Sequence, residues 1–431
     1  MQSSTAARRA VFLTIPAGVI AASVAISTPA SAATITDPGA AAARYLSQQL
    51  AAGDDHLLYD SFMGGPRYAN TGGTADAIMG LAASGTSKAQ AAKSTAWFAK
   101  NVTAYTGSGP AISAGATAKA LLLAVVEEQN PRTFGGVDLI DQLRDRLAAS
   151  GRFQDKLDPS VKDAQDYSSS ISQSLALLSL QRAGQTVSPS AVSYLLKQQC
   201  SNGGFDFTLD DTTCVSDPDA TGFVIQALVA VGGQRDALSK AVTYLAGQQN
   251  SAGAVGTVGV ANSTGLAAMA FTAAGDTVRA TKARSYLKTL QYDCGFPAAL
   301  RGGLAANAQN LADKKKLGSK AAPDQSDDTA TAQGIVGLVG SSYVTVSASG
   351  SAAAATPADA CIATPTGTAT PTGTVTPTAT ATSTVTGPPV ITDGPQDSSG
   401  GGLLVGAVVA GGALATGAAG LRRVSRRRGK H

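Results

Sequence analysis

The sequence predicts an all-α fold, an α6/α6 toroid in which six helical hairpins close into a ring with apolar helices inside and polar helices outside. Three observations carry this reading. Six times along the chain a small-residue-rich apolar segment follows a more polar one. The apolar segments start about 40 to 65 residues apart, which fits one helical hairpin with its loops and is a period of repeat architectures. No such hairpin can bury its apolar face alone, so the six must pack side by side, and a closed ring satisfies all of them.

Taken in order, the first outer helix opens at Asp37-Pro38, an N-cap followed by a first-turn proline. Its inner partner is GGTADAIMGLAASG from Gly72. The second outer helix starts near Ser87 and leads to SAGATAKALLLAVVEEQN from Ser113, and the third starts near Val137 and leads to DYSSSISQSLALLSLQRAG from Asp166. Ser188-Pro189 repeats the cap and proline of the first, and DPDATGFVIQALVAVGG from Asp217 follows it. Arg235 begins the fifth outer helix, with NSTGLAAMAFTAAG from Asn262 inside. The sixth begins near Val278 and pairs with SDDTATAQGIVGLVG from Ser326, where Ser326 reads as the N-cap.

The outer helices share a signature at their ends. AVSYLLKQQCSNGGF carries Tyr194, Leu195, Gln199, Gly203, Gly204 and Phe205; AVTYLAGQQNSAG repeats it with Tyr244, Leu245, Gln249 and Gly253; ARSYLKTLQYDCGF gives Tyr286, Leu287, Gln291, Gly295 and Phe296. Tyr and Leu pack the helix on its neighbour, Gln satisfies backbone groups at the helix end, and Gly supplies the left-handed turn. The first outer helix, with Arg44, Tyr45, Leu46 and Gln49, matches less closely. On these residues, from Asp37 to Tyr343, the chain resembles the prenyltransferase and squalene-oxidase repeat superfamily, whose repeats have the form YLxxxQxxxxGGF/W. The resemblance implies the toroid and makes the repeated residues staples between repeats.

Of the 431 residues, about 310 belong to the ring, enough for one large core; the two ends differ in composition. Residues 1–33 read as a signal peptide: Arg8 and Arg9, an apolar run from Ala10 to Ile26, then TPASAA with small residues set for cleavage. The toroid is expected over 34–345. Residues 346–400 are rich in Thr, Pro, Ala, Ser and Gly and are expected to form an extended stalk. Residues 401–421 form an uncharged apolar run of spanning length, and the basic tail 422–431 would remain cytoplasmic, leaving the ring outside. The expected partner of that end is the cytoplasmic membrane, as in an actinobacterium-like surface protein. Lys and Arg number 33 against 29 Asp and Glu, and much of the excess sits in this tail, so nucleic acid is excluded as a partner of the ring.

The cysteines are at 200, 214, 294 and 361. Cys200 and Cys214 bracket a short loop in an exported domain and are expected to form a disulfide; the pairing of Cys294 with Cys361 is left open. With His56 and His431 the only histidines, no zinc-ligand set is evident, and no cofactor is expected.

Inner helices of a toroid run parallel, so their N-termini, each with about half a positive charge, gather at one mouth. Asp76, Asp217, Asp219, Asp327 and Asp328 are the candidate ligand-binding residues there. DPDAT resembles the DxDDT acid motif of class II terpene cyclases, with Asp219 at the position of the proton donor and Ala220 in place of the next Asp; QSDDT at Gln325 resembles it with the first Asp lost. The plain alternative is that these acids are helix caps and first-turn charges. Cyclisation steers a carbocation with aromatic faces, yet aromatics are 5% of the chain with one Trp, Trp97, and the CGEQ motif of thioester toroids is missing. The binding branch of the fold remains, as in cobalamin carriers of the intrinsic-factor type, without their second domain. The expected function is binding of a small-molecule, wall-glycan or protein ligand without catalysis. The alternatives are a degenerate terpene cyclase or prenyltransferase-like enzyme using Asp219 as general acid, and a structural wall spacer.

Overall fold

A computed structural model describes residues 34–60, 65–256, 259–349 and 355–361. Among them are thirteen α-helices: α1 (Pro38–Ala52), α2 (Thr71–Ser84), α3 (Lys88–Thr106), α4 (Ala114–Val126), α5 (Leu139–Arg144), α6 (Ser170–Arg182), α7 (Pro189–Leu196), α8 (Pro218–Val231), α9 (Arg235–Gln248), α10 (Ala261–Ala274), α11 (Thr277–Thr289), α12 (Ala308–Leu317) and α13 (Gln325–Leu338). Three short antiparallel ribbons stand directly before α2, α4 and α8. The fold is mostly helical and of toroid type. Helices α2, α4, α6, α8, α10 and α13 each pack on the next, and α13 packs back on α2. Around them α1, α3, α5, α7, α9 and α11 each lie on one or two inner helices.

Composition explains which helix goes where. An inner helix is enclosed on nearly every side, so α4 buries eleven of its thirteen residues and α6 eleven of its thirteen. An outer helix needs only an apolar stripe: α11 buries Ala280, Ala283 and Leu287 alone. Small residues let inner helices come close. A Cβ on Gly337 of α13 would stand 2.2 Å from the Gly265 carbonyl oxygen of α10, so these two helices meet backbone to backbone.

The repeated Gln and Gly join neighbouring outer helices. Gln199 Nε2 donates to the carbonyls of Gly203 and Ala237, the latter on α9, and Gln249 Nε2 donates to those of Gly253 and Arg279, the latter on α11. Gln291 Nε2 donates to Gly302 and to Pro38 of α1, closing the outer ring between its last and first members. The turn glycine of the last repeat is therefore Gly302, with φ 88°, and not Gly295, whose φ is ordinary. An insertion from Tyr292 to Arg301 separates Gln from Gly and builds a small second core of Tyr292, Phe296, Leu300, Ala305 and Ala321.

Two further expectations change. The N-cap of α13 is Asp324, not Ser326: its carboxylate accepts from Ser326 N and Asp327 N, and Asp327 returns a bond to Asp324 N. Helix α12 was not anticipated, because AQNLADKKKL buries no residue and has no apolar stripe to read. Beyond α13 the chain stays packed past the expected boundary at 345. Val346 is buried, Arg182 donates to the carbonyls of Tyr343 and Val346, and Ala348 N donates to Val126 O. Both cysteine pairs, Cys200–Cys214 and Cys294–Cys361, are bridged, which fits an oxidising compartment. Among the described residues no helix is long and apolar enough to cross a membrane. The expected signal 1–33, the span 401–421 and the tail 422–431 lie outside the described residues, as does the expected stalk beyond Cys361.

Candidate functional site

Hydrogen bonds between matching turns fix the direction of the inner helices. Asp219 in the first turn of α8 accepts from Ser263 in the first turn of α10 at 3.0 Å, and Asp76 midway along α2 pairs with Lys119 midway along α4 at 2.8 Å. Gly222 of α8 also lies against Leu266 of α10, and Asp76 and Gly80 of α2 lie against Gln333 and Ile335 of α13, so these neighbours run parallel with their positive ends on one side of the ring.

Two polar groups sit on that inner ring. The first is Asp76, 3% exposed, held by Lys119 and by Gln333 Nε2 at 3.3 Å from α13. Lys119 Nζ also reaches the Gly72 carbonyl at 3.5 Å. A buried pair of this kind is maintained only when its remaining bonds are met, and Gln333 and Gly72 meet them. The second group is Asp219 with Ser263. Asp219 Oδ2 accepts the serine hydroxyl, whereas Oδ1 is buried and has no hydrogen-bond partner. Burial, helped by the charge of Asp217, pushes this carboxyl up to about 6, against the opposing serine bond.

The other three expected residues are engaged elsewhere. Asp217 caps α8, accepting from Ala220 N at 2.7 Å. Asp327 accepts the Tyr292 hydroxyl at 2.6 Å and pairs with Lys314 of α12 at 2.9 Å. Burial raises its pKa first, and the Asp324 charge adds to this. Asp328 accepts the Tyr45 hydroxyl of α1 at 2.7 Å, and burial is the main cause that holds its carboxyl at about 6. The structure therefore groups Asp76 with Lys119 and Gln333, and Asp219 with Ser263, while Asp327 and Asp328 tie the outer layer to the start of α13.

Sequence reasoning missed Lys119, Gln333 and Ser263. Lys119 had a signal: it is the single charge in the run AGATAKALLLAVV. A further regularity went unread. Thr74, Thr221, Thr264 and Thr331, all in inner helices, accept from the backbone N–H of Leu57, Phe205, Val255 and Leu304 at 2.8–3.1 Å, so each ties its helix to the turn that follows the preceding outer helix α1, α7, α9 or α11. Cys200, Asp206 and Cys214 are the one cluster of metal-ligand residue types among the described residues. Its sulfurs are spent in the disulfide.

These carboxyls predict an unusual pH response. Asp219 and Asp328 titrate near 6 and Glu127 near 7, all above their ordinary values, with burial the leading cause. A carboxyl whose folded pKa is raised binds its proton more tightly in the native state, so stability grows as pH falls through the folded pKa towards the unfolded one. Thermal melts should give a higher Tm at about pH 5 than at about pH 7.5. A Tm that falls as the pH is lowered from about 7.5 to about 5 would contradict the burial of these groups. The carboxyls with lowered values, Asp158, Asp313 and Asp359, lose stability only below it.

No protein-family profile and no curated protein sequence matches the chain. Solved structures do. The type II terpene cyclase MstE from Scytonema aligns with a TM-score of 0.50 and 13% identity, over 70% of this chain and 96% of that one. An unsaturated glucuronyl hydrolase specific for heparin aligns at 0.47 and 12%, over 70% and 95%. Haptocorrin in complex with Cbi aligns at 0.44 and 15%, over 71% and 68%. At such identities the likeness speaks of fold alone. The chain shares the α/α-toroid type of fold with the cyclase structure.

Proposed function

We propose that this chain is an α6/α6 toroid, carried outside the cell on a Thr/Pro-rich stalk with a C-terminal membrane anchor, and that the N-terminal side of its inner ring binds a ligand without transforming it. The observation that carries the reading is Asp219 Oδ1, a buried acceptor with no partner beside the Ser263 hydroxyl. An unmet buried acceptor costs about 1–3 kcal/mol, and a donor on a bound ligand would recover it. Asp76, Lys119 and Gln333 offer a second polar anchor on the same ring. A small molecule, a wall glycan or a protein segment would each supply the donors.

Cyclase chemistry is less well supported. The six inner helices contain two aromatic residues, Phe223 and Phe271. Phe223 stacks on the protein's own Tyr343 at 6.1 Å between ring centroids, and Phe271 is fully buried in the core. The inner helices themselves offer little aromatic surface to guide a carbocation. One observation favours the enzyme reading: the desolvated Asp219 carboxyl near 6 is suited to proton donation. Incubation of the protein with squalene and with geranylgeranyl compounds decides between them. Binding predicts no cyclic product from wild type or from Asp219→Asn. Product from wild type that falls about 100-fold or more in Asp219→Asn, the loss expected for a positioned general acid, would replace this reading with the cyclase.

A further inference from the structure

A second site lies away from these residues, where the inner helices end. Helix α4 stops in a Schellman turn: Glu128 N donates to Val125 O and Gln129 N to Ala124 O. The position that normally calls for glycine is occupied by Glu128, with φ 55°. A glutamate there adopts left-handed backbone that L-residues disfavour, and it turns the chain so that Glu127 and Glu128 both border a cavity of about 410 Å³ between α3 and the loop that follows α4. That volume is within the range of small-molecule pockets.

The walls differ in chemistry. Ala92, Ala96 and Ala99 of α3 make one side, with Phe134 also lining the space. The polar side carries Thr95 and Glu127, which face each other. Thr95, 6% exposed, turns its hydroxyl towards the Glu127 carboxylate, and neither side chain has another hydrogen-bond partner among the described residues. Both residues line the cavity. The charged groups that face Glu127 are Glu128 in its own loop and Lys88 at the start of α3; burial dominates and raises its pKa to about 7 against the Thr95 hydroxyl and Lys88. The ligand site proposed above does not involve Glu127.

We propose that this cavity binds a small organic ammonium ion, whose N–H groups donate to the Glu127 carboxylate and the Thr95 hydroxyl while its hydrocarbon part lies along the alanine wall. A cation fits better than an anion, because two carboxylates border the space against the single ammonium of Lys88. It fits better than a neutral alcohol, because a charge-assisted bond to a buried carboxylate is about twice as strong as a neutral one.

The test is calorimetric titration of the full-length protein with n-hexylamine, 1-hexanol and hexanoate. The amine should bind at least ten-fold more tightly than the alcohol, and hexanoate should not bind. Glu127→Gln should weaken the amine at least ten-fold and leave the alcohol unchanged, and Thr95→Val should weaken the amine several-fold. Ala96→Leu changes an exposed helical position that the fold tolerates, narrows the cavity and should abolish amine binding, so it serves as the check should Glu127→Gln fold poorly. Because Glu127 must be ionised to hold the cation, wild-type affinity should rise between about pH 6 and pH 8, and the rise should be lost in Glu127→Gln. Equal binding of amine and alcohol, or amine binding that survives both Glu127→Gln and Ala96→Leu, would overturn the proposal; Glu127 and Thr95 would then be served by each other and by water only.

Discussion

Asp327→Ala is expected to cost about 3 kcal/mol of stability, near the lower end of what breaking a buried ion pair costs. The Asp327 side chain is 1% exposed and joins three structures: the Tyr292 hydroxyl of the second small core, the Lys314 ammonium of α12, and the cap of α13 through Asp324 N. Removing it leaves the phenol without its acceptor and the Lys314 head, 11% exposed, with Asp324 alone. Tyr292→Phe removes one hydrogen bond from the same group and should cost only about 1 kcal/mol. Urea unfolding of the two variants measures the difference. Equal losses would mean that Lys314 is solvated in the native state and that the pair contributes little.

A still larger effect is expected at the Cys294–Cys361 disulfide, which closes a separation of 67 residues. In the chain-entropy account, opening a loop of this length removes about 4 kcal/mol. The enclosed stretch contains α12 and α13, and hence the helix that closes the inner ring. The bridge also brings Asp359 to Arg301 at 2.9 Å and to Arg44 of α1 at 3.7 Å, so the chain leaving the ring is fastened to the first and last repeats together. Cys294→Ser combined with Cys361→Ser should lower the Tm by several degrees and open residues near 359 to limited proteolysis. An unchanged Tm with unchanged protection would show that the ion pairs suffice. The Cys200–Cys214 bridge spans only 14 residues and should contribute less, about 3 kcal/mol.

The ring was legible because period and composition are global signals. Inner helices such as ALLLAVV of α4 are buried on nearly all sides, and the residues that start them fall within a few positions of the expected starts. The staples were legible where Gln and Gly keep a constant distance, as at Gln199–Gly203 and Gln249–Gly253. They were misread at Gly295 because the inserted residues from Tyr292 to Arg301 move the functional glycine to Gly302. The site was only partly legible for a different reason. Sequence places acids at helix starts, but neighbours on a helix point about 100° apart, and tertiary packing decides which partner each meets. Asp327 and Asp328 meet Tyr292 and Tyr45, both far off in sequence. Asp219 meets a serine and is left with one free oxygen, a state that no local pattern encodes.

On this reading the N-terminal side of the inner ring holds a ligand through Asp219. The most direct measurement is a crystal structure of the protein after incubation with culture extract, with Asp219→Asn treated in parallel. The account predicts difference density within hydrogen-bond distance of Asp219 Oδ1 in wild type, weakened or lost in the variant. A wild-type structure in which Asp219 Oδ1 is satisfied by the protein's own groups, with no density beside it, would contradict the claim.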